Sequence, residues 1–279
     1  MSRMCCDKMV GFKKLAICQF FDISYNDYTM SLYLKYRPQK FSDLVGQEAV
    51  RKTLENAVKL ERVAHAYLFV GPRGTGKTTT ARILAKALNC QKRKKGEAQP
   101  CNKCHICNEI TSGHNLDVIE IDAASNRGID DIRELRDKIH YAPTSAKYKI
   151  YIIDEVHMLT KESFNALLKT LEEPPKHIVF IMATTEPDKV PDTILSRVQE
   201  FNFKRATNAE VKEDLSRIIK KEKIKIDDKA LEFICQNADG SFRDAESILD
   251  QVNSLKDNKI TLNTVQEVLG VASDKITGD

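Results

Sequence analysis

The sequence predicts an α/β fold, a parallel sheet held between helices, followed by a small all-α domain. Three observations carry that expectation. Up to about Arg205, short apolar runs alternate with helix-like segments, the pattern of strands buried on both faces. The first of these runs ends in a glycine-rich turn that opens a helix. Beyond Arg205 the strand-like runs stop and only amphipathic helical patterns remain.

Taken in order, residues 1–30 form a weakly apolar segment broken by Lys13 and Lys14, with no small-residue cleavage site after it. It reads as an extension without defined structure or a mis-set start, since Met30 opens a second plausible beginning, "MSLYLKYRP". Residues 31–205 form the α/β domain. "AYLFV" (66–70) reads as its first strand, and Ala81, Leu84, Ala85 and Leu88 recur at helical spacing just after it. "DVIEID" (117–122), "KIYIID" (149–154) and "HIVFIMAT" (177–184) read as further strands, separated by helical segments such as "IDDIRELRDKI" and "KESFNALLKTLEE". Residues 206–272 carry four helical patterns, with Asn208, Asp227, Ser241 and Thr261 or Asn263 as N-caps, and 273–279 form a tail.

Hydrophobic residues make up 42% and charged residues 30%, ordinary values for a globular chain. No apolar run approaches the roughly 20 residues that span a bilayer, so no membrane partner is expected. A net charge of +4 permits a nucleic-acid partner without arguing for one. Eight cysteines are too sparse for a disulfide scaffold. Their clustering favours metal binding in a reducing compartment, hence a cytoplasmic location.

Gly71-Pro72-Arg73-Gly74-Thr75-Gly76-Lys77-Thr78 fits G-x-x-x-x-G-K-[ST] between a strand and a helix. Such glycines let backbone N–H groups surround phosphate oxygens. Lys77 brings a charge to the β- and γ-phosphates, and the Thr78 hydroxyl helps hold Mg²⁺. "IYIIDE" supplies the complementary acidic strand end: Asp154 for the Mg²⁺ shell, Glu155 to polarise the attacking water. Alone, that acid pair reads equally as a helix cap; with the loop it indicates ATP or GTP hydrolysis. Thr184 and Thr185 end the neighbouring strand and can position water, while Arg197 and Arg243 are candidate cations.

Cys90-x10-Cys101-x2-Cys104-x2-Cys107 interrupts the α/β domain over residues 89–108. Four thiolates close a tetrahedral structural Zn²⁺ site. An iron–sulfur run would continue with x3-Cys-Pro, but here "NEITS" follows. Redox C-x-x-C pairs fit less well because both pairs share Cys104. His105 and His114 are alternative ligands. Lys92, Arg93, Lys94 and Lys95 offset the charge of such a site, which reads as a surface excursion and a contact for another subunit.

The order "YRPQKFSDLVGQE", "GPRGTGKTTTARILAKALNC", "CNKCHIC", "IDAASNRGIDDIRELRD", "YIIDEVHMLTKESFNALLKTLEEPP", "ATTEPDKVPDTILSRV" and "GSFRDAESILDQ" resembles the gamma/tau subunits of bacterial DNA polymerase III, AAA+ ATPases of the sliding-clamp loader. The resemblance covers about Leu32 to Gly270. It implies ATP as the nucleotide, held by Gly71 to Thr78 with Thr79, and an adenine–ribose segment of Tyr36, Arg37, Pro38, Val45 and Gly46. It implies Thr185 as the sensor after the strand, Arg197 as a finger acting in a neighbouring subunit, and Arg243 as the lid-domain sensor. It implies DNA-backbone contact at Ser125, Asn126 and Arg127, which otherwise read as a plain helix cap.

Implied partners are the delta and delta prime subunits, further gamma/tau copies, the sliding clamp and primer-template DNA. Two departures stand out: Val198 replaces the family's Cys after Arg197, and Glu246 at i,i+3 could draw Arg243 away from ATP. A non-hydrolysing structural loader subunit and a generic AAA+ remodelling ATPase are the alternatives. The family shares the label of DNA-directed DNA polymerase, a nucleotidyltransferase, only through its holoenzyme, since no polymerase-type carboxylate group stands beside the Mg²⁺ site. With the family's collar domain lacking past Asp279, the chain reads as a fragment or a truncated product.

Overall fold

The computed structural model describes residues 30–125, 128, 132, 135, 138, 139, 141–255 and 259–270. Helix α1 (Leu32–Lys35) and a 3-10 turn at Phe41–Asp43 lead to α2 (Glu48–Lys59), then strand β1 (Ala66–Val70) and α3 (Lys77–Asn89). Helix α4 (His105–Ser112) precedes β2 (Val118–Asp122) and β3 (Lys149–Asp154). Then come α5 (Lys161–Glu172), β4 (Ile178–Thr184), α6 (Asp192–Leu195) and β5 (Gln199–Asn202). The expected helix at "IDDIRELRDKI" falls mostly outside the described residues, as do the extension 1–29 and the tail 273–279.

The strands form one parallel sheet in the order β2-β3-β4-β1-β5. Every residue of β1 and of β4 is buried, as their unbroken apolar runs require of strands covered on both faces. One core, containing Leu54, Phe69, Leu84 and Ile152, lies on one face of the sheet; Leu68, Ile153, Leu167 and Met182 fill the other. The register sets Val70 opposite Thr184 and Asp122 opposite Asp154. The carboxyl ends of the strands therefore share one edge of the sheet, where ligands bind in open α/β sheets.

The edge strand β5 was not legible in "QEFN", because only Phe201 of its four residues is buried.

Helices α7 (Asn208–Glu222), α8 (Asp228–Asn237), α9 (Phe242–Ser254) and α10 (Leu262–Leu269) pack around Val211, Leu215, Ile234, Leu249 and Val265. Leu32 of α1 joins this core, tying the first described segment to the last. Ser241 and Thr261 cap α9 and α10 by accepting from the Asp244 and Thr264 N–H groups. Asp227 stands at the α8 N-cap with its carboxylate paired to Lys259 rather than to a helix N–H, and the α7 cap is Thr207 rather than Asn208. There Thr207 and Glu210 satisfy each other's N–H groups in a capping box.

This helical unit sits on the glycine-rich turn. The Phe242 N–H donates to the Gly74 carbonyl at 3.1 Å. A Cβ on Gly74 would lie 1.9 Å from the Ser241 hydroxyl, and one on Gly71 would lie 2.3 Å from the Phe203 carbonyl. Gly71 also has a φ of 151°, so a side chain meets strain as well as a clash with backbone. Gly71→Ala should cost about 2 kcal/mol of stability, read as a lower midpoint in urea unfolding.

Candidate nucleotide and metal sites

The turn between β1 and α3 floors a cavity of 340 Å³. Lys77 begins α3 with only 6% of its surface exposed. Its ammonium folds back into the turn and donates to the carbonyls of Gly71 (2.8 Å) and Pro72 (2.9 Å). Burial lowers the Lys77 pKa, while Glu155 and Asp154 oppose the shift. The Thr75 hydroxyl braces the same turn through Pro72 O at 2.9 Å.

The acidic strand end meets α3 directly. The Thr78 hydroxyl donates to Asp154 Oδ2 at 2.7 Å, and the Glu155 N–H to Asp154 Oδ1 at 3.0 Å. These hard oxygen donors, side by side, suit Mg²⁺. Glu155 adopts φ 48°, a left-handed turn that ends β3, and its carboxylate accepts from the Thr185 hydroxyl at 3.0 Å.

Thr184 lies beneath, wholly buried, bonded to His157 Nδ1 at 3.0 Å and to the Glu186 N–H at 3.0 Å. His157 also stands 3.4 Å from Glu155 and 3.2 Å from Glu186. It escaped the sequence reading because "VHML" resembles an ordinary helix start.

The other wall comes from α1, the segment after it, and the helical domain. Arg37, Pro38 and Val45 line the cavity, as do Arg73, Gly74, Thr75, Gly76 and Thr79. The Arg37 Nε donates to the Thr79 hydroxyl at 3.0 Å. Burial, then Arg82, lower the Arg37 pKa to about 10, against Glu120 and Asp154.

Tyr36 and Gly46 are not among the lining residues; Tyr33 and Leu34 take that place. Because residues 32–35 are helical, Tyr36 turns to the helical domain, where its hydroxyl donates to Glu222 at 2.5 Å. Gly46 faces Glu210.

Arg243 lies over the Tyr33 ring at 4.9 Å and forms no ion pair with Glu246 among the described residues. The expected i,i+3 pairing is thus absent. Glu246 instead meets Asp214 inside the cavity wall. Asp214 also pairs with Arg217 at 2.6 Å, yet its Oδ2 is buried without an N–H or O–H partner. A protonated Glu246 carboxyl would supply that partner. Burial, then Asp214, raise the Glu246 pKa to about 9.

Arg197 lies elsewhere. It precedes β5, and its guanidinium pairs with Glu172 at 2.8 Å and donates to Thr193 O at 2.7 Å. It lines a second, open cavity with His65 and Ala66 at the start of β1. The length of β1, about 3.3 Å per residue, separates it from its own phosphate turn. Ser125 ends the turn after β2, its hydroxyl donating to Asp122 at 2.8 Å. Asn126 and Arg127 lie outside the described residues.

The four cysteines Cys90, Cys101, Cys104 and Cys107 bring their sulfurs within 4.8 Å of one another. Ligands about 2.3 Å from a tetrahedral Zn²⁺ would stand roughly 3.8 Å apart, so the group fits the metal after a small contraction. Burial raises the Cys107 thiol. Although burial also opposes ionisation at Cys101, N–H donors from Lys103 and Cys104 and the neighbouring thiols bring it to about 6. His105 turns outward to Glu109, and neither it nor His114 belongs to the cluster.

The sulfur end of this loop packs beside α3 and α4, with Ile106 and Ile110 buried beside the sulfurs, while residues 91–97 lie largely exposed on the surface. One expectation about the loop changes. Its nearest buried cation is Lys86, not the 92–95 run: Arg93 is occupied with the carbonyls of Ala87 and Glu97.

A five-stranded parallel sheet, a phosphate turn, an acidic strand end and a docked helical lid define the AAA+ class of P-loop fold. Solved structures agree at the level of fold. The Thermotoga maritima RuvB Holliday junction branch migration motor aligns with a TM-score of 0.61 at 22% identity, over 85% of this chain and 72% of that one. A proline-to-glycine mutant of the same motor gives 0.63 at 23%, over 85% and 74%.

Residues 46–207 match the family model for DNA polymerase III, delta subunit, and 210–254 that for the DNA polymerase III clamp loader subunit, ATPase lid domain. The chain belongs to the clamp-loader subunit family of DNA polymerase III. It is 51% identical to the tau subunit of Bacillus subtilis, over 89% of this chain and 44% of that protein. It is 48% identical to the Escherichia coli tau subunit, over 86% and 37%. It is also 48% identical to a gamma subunit of Buchnera aphidicola, over 85% and 64%. The chain thus spans less than half the length of these tau relatives.

Two outcomes follow from the site. Zinc-loaded protein should carry about one Zn²⁺ per chain by elemental analysis, and Cys104→Ser should lose it. Folded Glu246 keeps its proton up to about pH 9, whereas the unfolded carboxyl releases it near 4.5. Stability should therefore fall as pH rises through that window and level off above it. Glu246→Gln should flatten the slope in urea unfolding measured from pH 5 to 9.

Proposed function

We propose that this chain is the ATP-hydrolysing motor of a bacterial clamp loader, which places the sliding clamp on primed DNA during replication. One observation supports this most: the Thr78 hydroxyl is bonded to Asp154 while Lys77 and Glu155 line the same end of the cavity. The backbone N–H groups of the turn and the Lys77 ammonium hold the β- and γ-phosphates of ATP. Bound Mg²⁺, held by Thr78 and Asp154, supplies charge neutralisation on those phosphates. Glu155, oriented by Thr185 and by His157 beneath it, aligns water for in-line attack on the γ-phosphate and takes its proton.

Arg37 and Pro38 hold the sugar and base end, and Arg243 reaches the cavity from the lid. Arg197 is too far from its own phosphate turn to serve it, which supports a role in the site of an adjoining subunit. That arrangement calls for delta, delta prime and further gamma/tau copies as partners, with the clamp and primer-template DNA as the objects acted on. Ser125, Asn126 and Arg127 are assigned to the DNA backbone. The clustered thiols suit the reducing cytoplasm. Polymerisation itself belongs to the holoenzyme; no nucleotidyl transfer is assigned to this chain.

The test combines the protein with its partner subunits, clamp and primed DNA. Lys77→Ala should lower ATP hydrolysis by about 100-fold or more. Glu155→Gln should keep ATP binding and lose turnover to a similar degree. Unchanged turnover in Lys77→Ala would end the proposal.

A further inference from the structure

The cysteine loop touches more than its own small core. Asn102 lies inside the Cys101-x2-Cys104 turn in a left-handed conformation, φ 53°. Its amide donates to the Gln39 carbonyl at 3.1 Å, and its carbonyl oxygen accepts from Lys86 Nζ at 2.9 Å. Lys86 also donates to Gln39 Oε1 at 2.5 Å and reaches the Thr111 hydroxyl at 3.5 Å. Thr111 is anchored in turn to the Cys107 carbonyl at 2.8 Å. Just before the Cys101–Cys104 turn, Gln99 Oε1 accepts from the Phe41 N–H at 2.9 Å. Segment 37–41 is thereby gripped at two points by the cysteine loop.

That segment carries a wall of the nucleotide cavity. The Gln39 side-chain amide donates to the Arg37 carbonyl at 3.0 Å, and Arg37 reaches across to Thr79 on the first turn of α3. Arg37 and Pro38 both line the cavity. A continuous chain of hydrogen bonds therefore runs from Asn102, between two sulfur ligands, through Lys86 and Gln39 to Arg37.

We infer that the metal-bound cysteine loop is a positioning element for the nucleotide cavity, acting through Asn102, Lys86 and Gln39 on Arg37, so that zinc and nucleotide each favour the binding of the other. The inference rests on the nucleotide reading above.

Lys86 is the exacting member. It is only 1% exposed and makes no ion pair among the described residues, so its ammonium depends on three neutral oxygens from three separate segments. A buried cation loses heavily when one such oxygen moves, because no water replaces it. Metal coordination fixes the turn that holds Asn102 and the helix that holds Thr111. Without it those two oxygens lose their fixed positions, and Gln39 is left to follow Lys86 or to hold Arg37. A loop serving only as a local staple would have no reason to place its ligand turn against this segment.

Coupling of this kind is reciprocal by linkage. The test titrates a fluorescent ATP analogue with Mg²⁺ into zinc-loaded protein and into protein stripped by a chelator, with circular dichroism confirming that both stay folded. Nucleotide affinity should fall about fivefold or more on stripping, and saturating ATP should raise zinc affinity by the same factor in a chelator competition. Asn102→Gly keeps the left-handed turn and all four thiols. In zinc-loaded form it should retain its metal and still bind nucleotide about fivefold more weakly than wild type.

Equal nucleotide affinity in loaded and stripped wild type overturns the inference. If stripped protein unfolds, Asn102→Gly decides: full zinc content with wild-type nucleotide affinity overturns it. Failure of zinc-loaded wild type to bind any nucleotide overturns the proposed function instead.

Discussion

Everything in the α/β domain depends on how the chain passes from β1 to α3. Within Gly71–Gly76 it must leave a strand with no exposed residue and enter a helix that is itself buried over most of its surface. The Phe203 backbone closes one side of that passage and Ser241 the other. A side chain does not fit at Gly71 or Gly74, so the backbone is bare at the two points where the turn is pressed from either side. The same crowding makes the turn the meeting point of sheet, edge strand and helical domain. A phosphate lodged in it is felt by all three.

The second consequence is electrostatic. Lys77, Arg37 and Arg243 converge on one cavity with Asp154, Glu155 and the Asp214–Glu246 pair. The cations are kept apart by pairing each with something other than a carboxylate: loop carbonyls, a threonine hydroxyl and an aromatic face. None needs to break a strong salt bridge before meeting a phosphate. The acids are likewise divided, one pair beside Thr78 and the Asp214–Glu246 pair on the helical domain, where burial and Asp214 raise the Glu246 pKa.

Much of this was legible in the sequence, and the limits of legibility have physical causes. The four longer strands, the phosphate turn, the acidic strand end and the cysteine group announce themselves because each needs particular residue types at fixed spacing. What stayed hidden depends on phase or on burial of polar groups. Tyr33 lies within α1 and lines the cavity, whereas Tyr36 ends that helix and meets Glu222 of α7. Lys86 sits in an amphipathic pattern where a lysine normally marks the solvated face, yet here the cysteine loop covers it. Glu246 reads as a partner for Arg243 at helical spacing until the facing helix presents Asp214. Contacts between remote segments decided all three.

Arg197 stands at the amino edge of the sheet and the phosphate turn at its carboxyl edge. A subunit with those two features on opposite faces has a direction, like an arrow with a head and a tail. Copies joined arginine to cavity cannot pair back to back; they can only follow one another, closing as a ring or climbing as a spiral. In any such row that stays open, the leading subunit has a cavity no one completes, and the last has an arginine with nowhere to go. Identical chains are then made unequal by position alone.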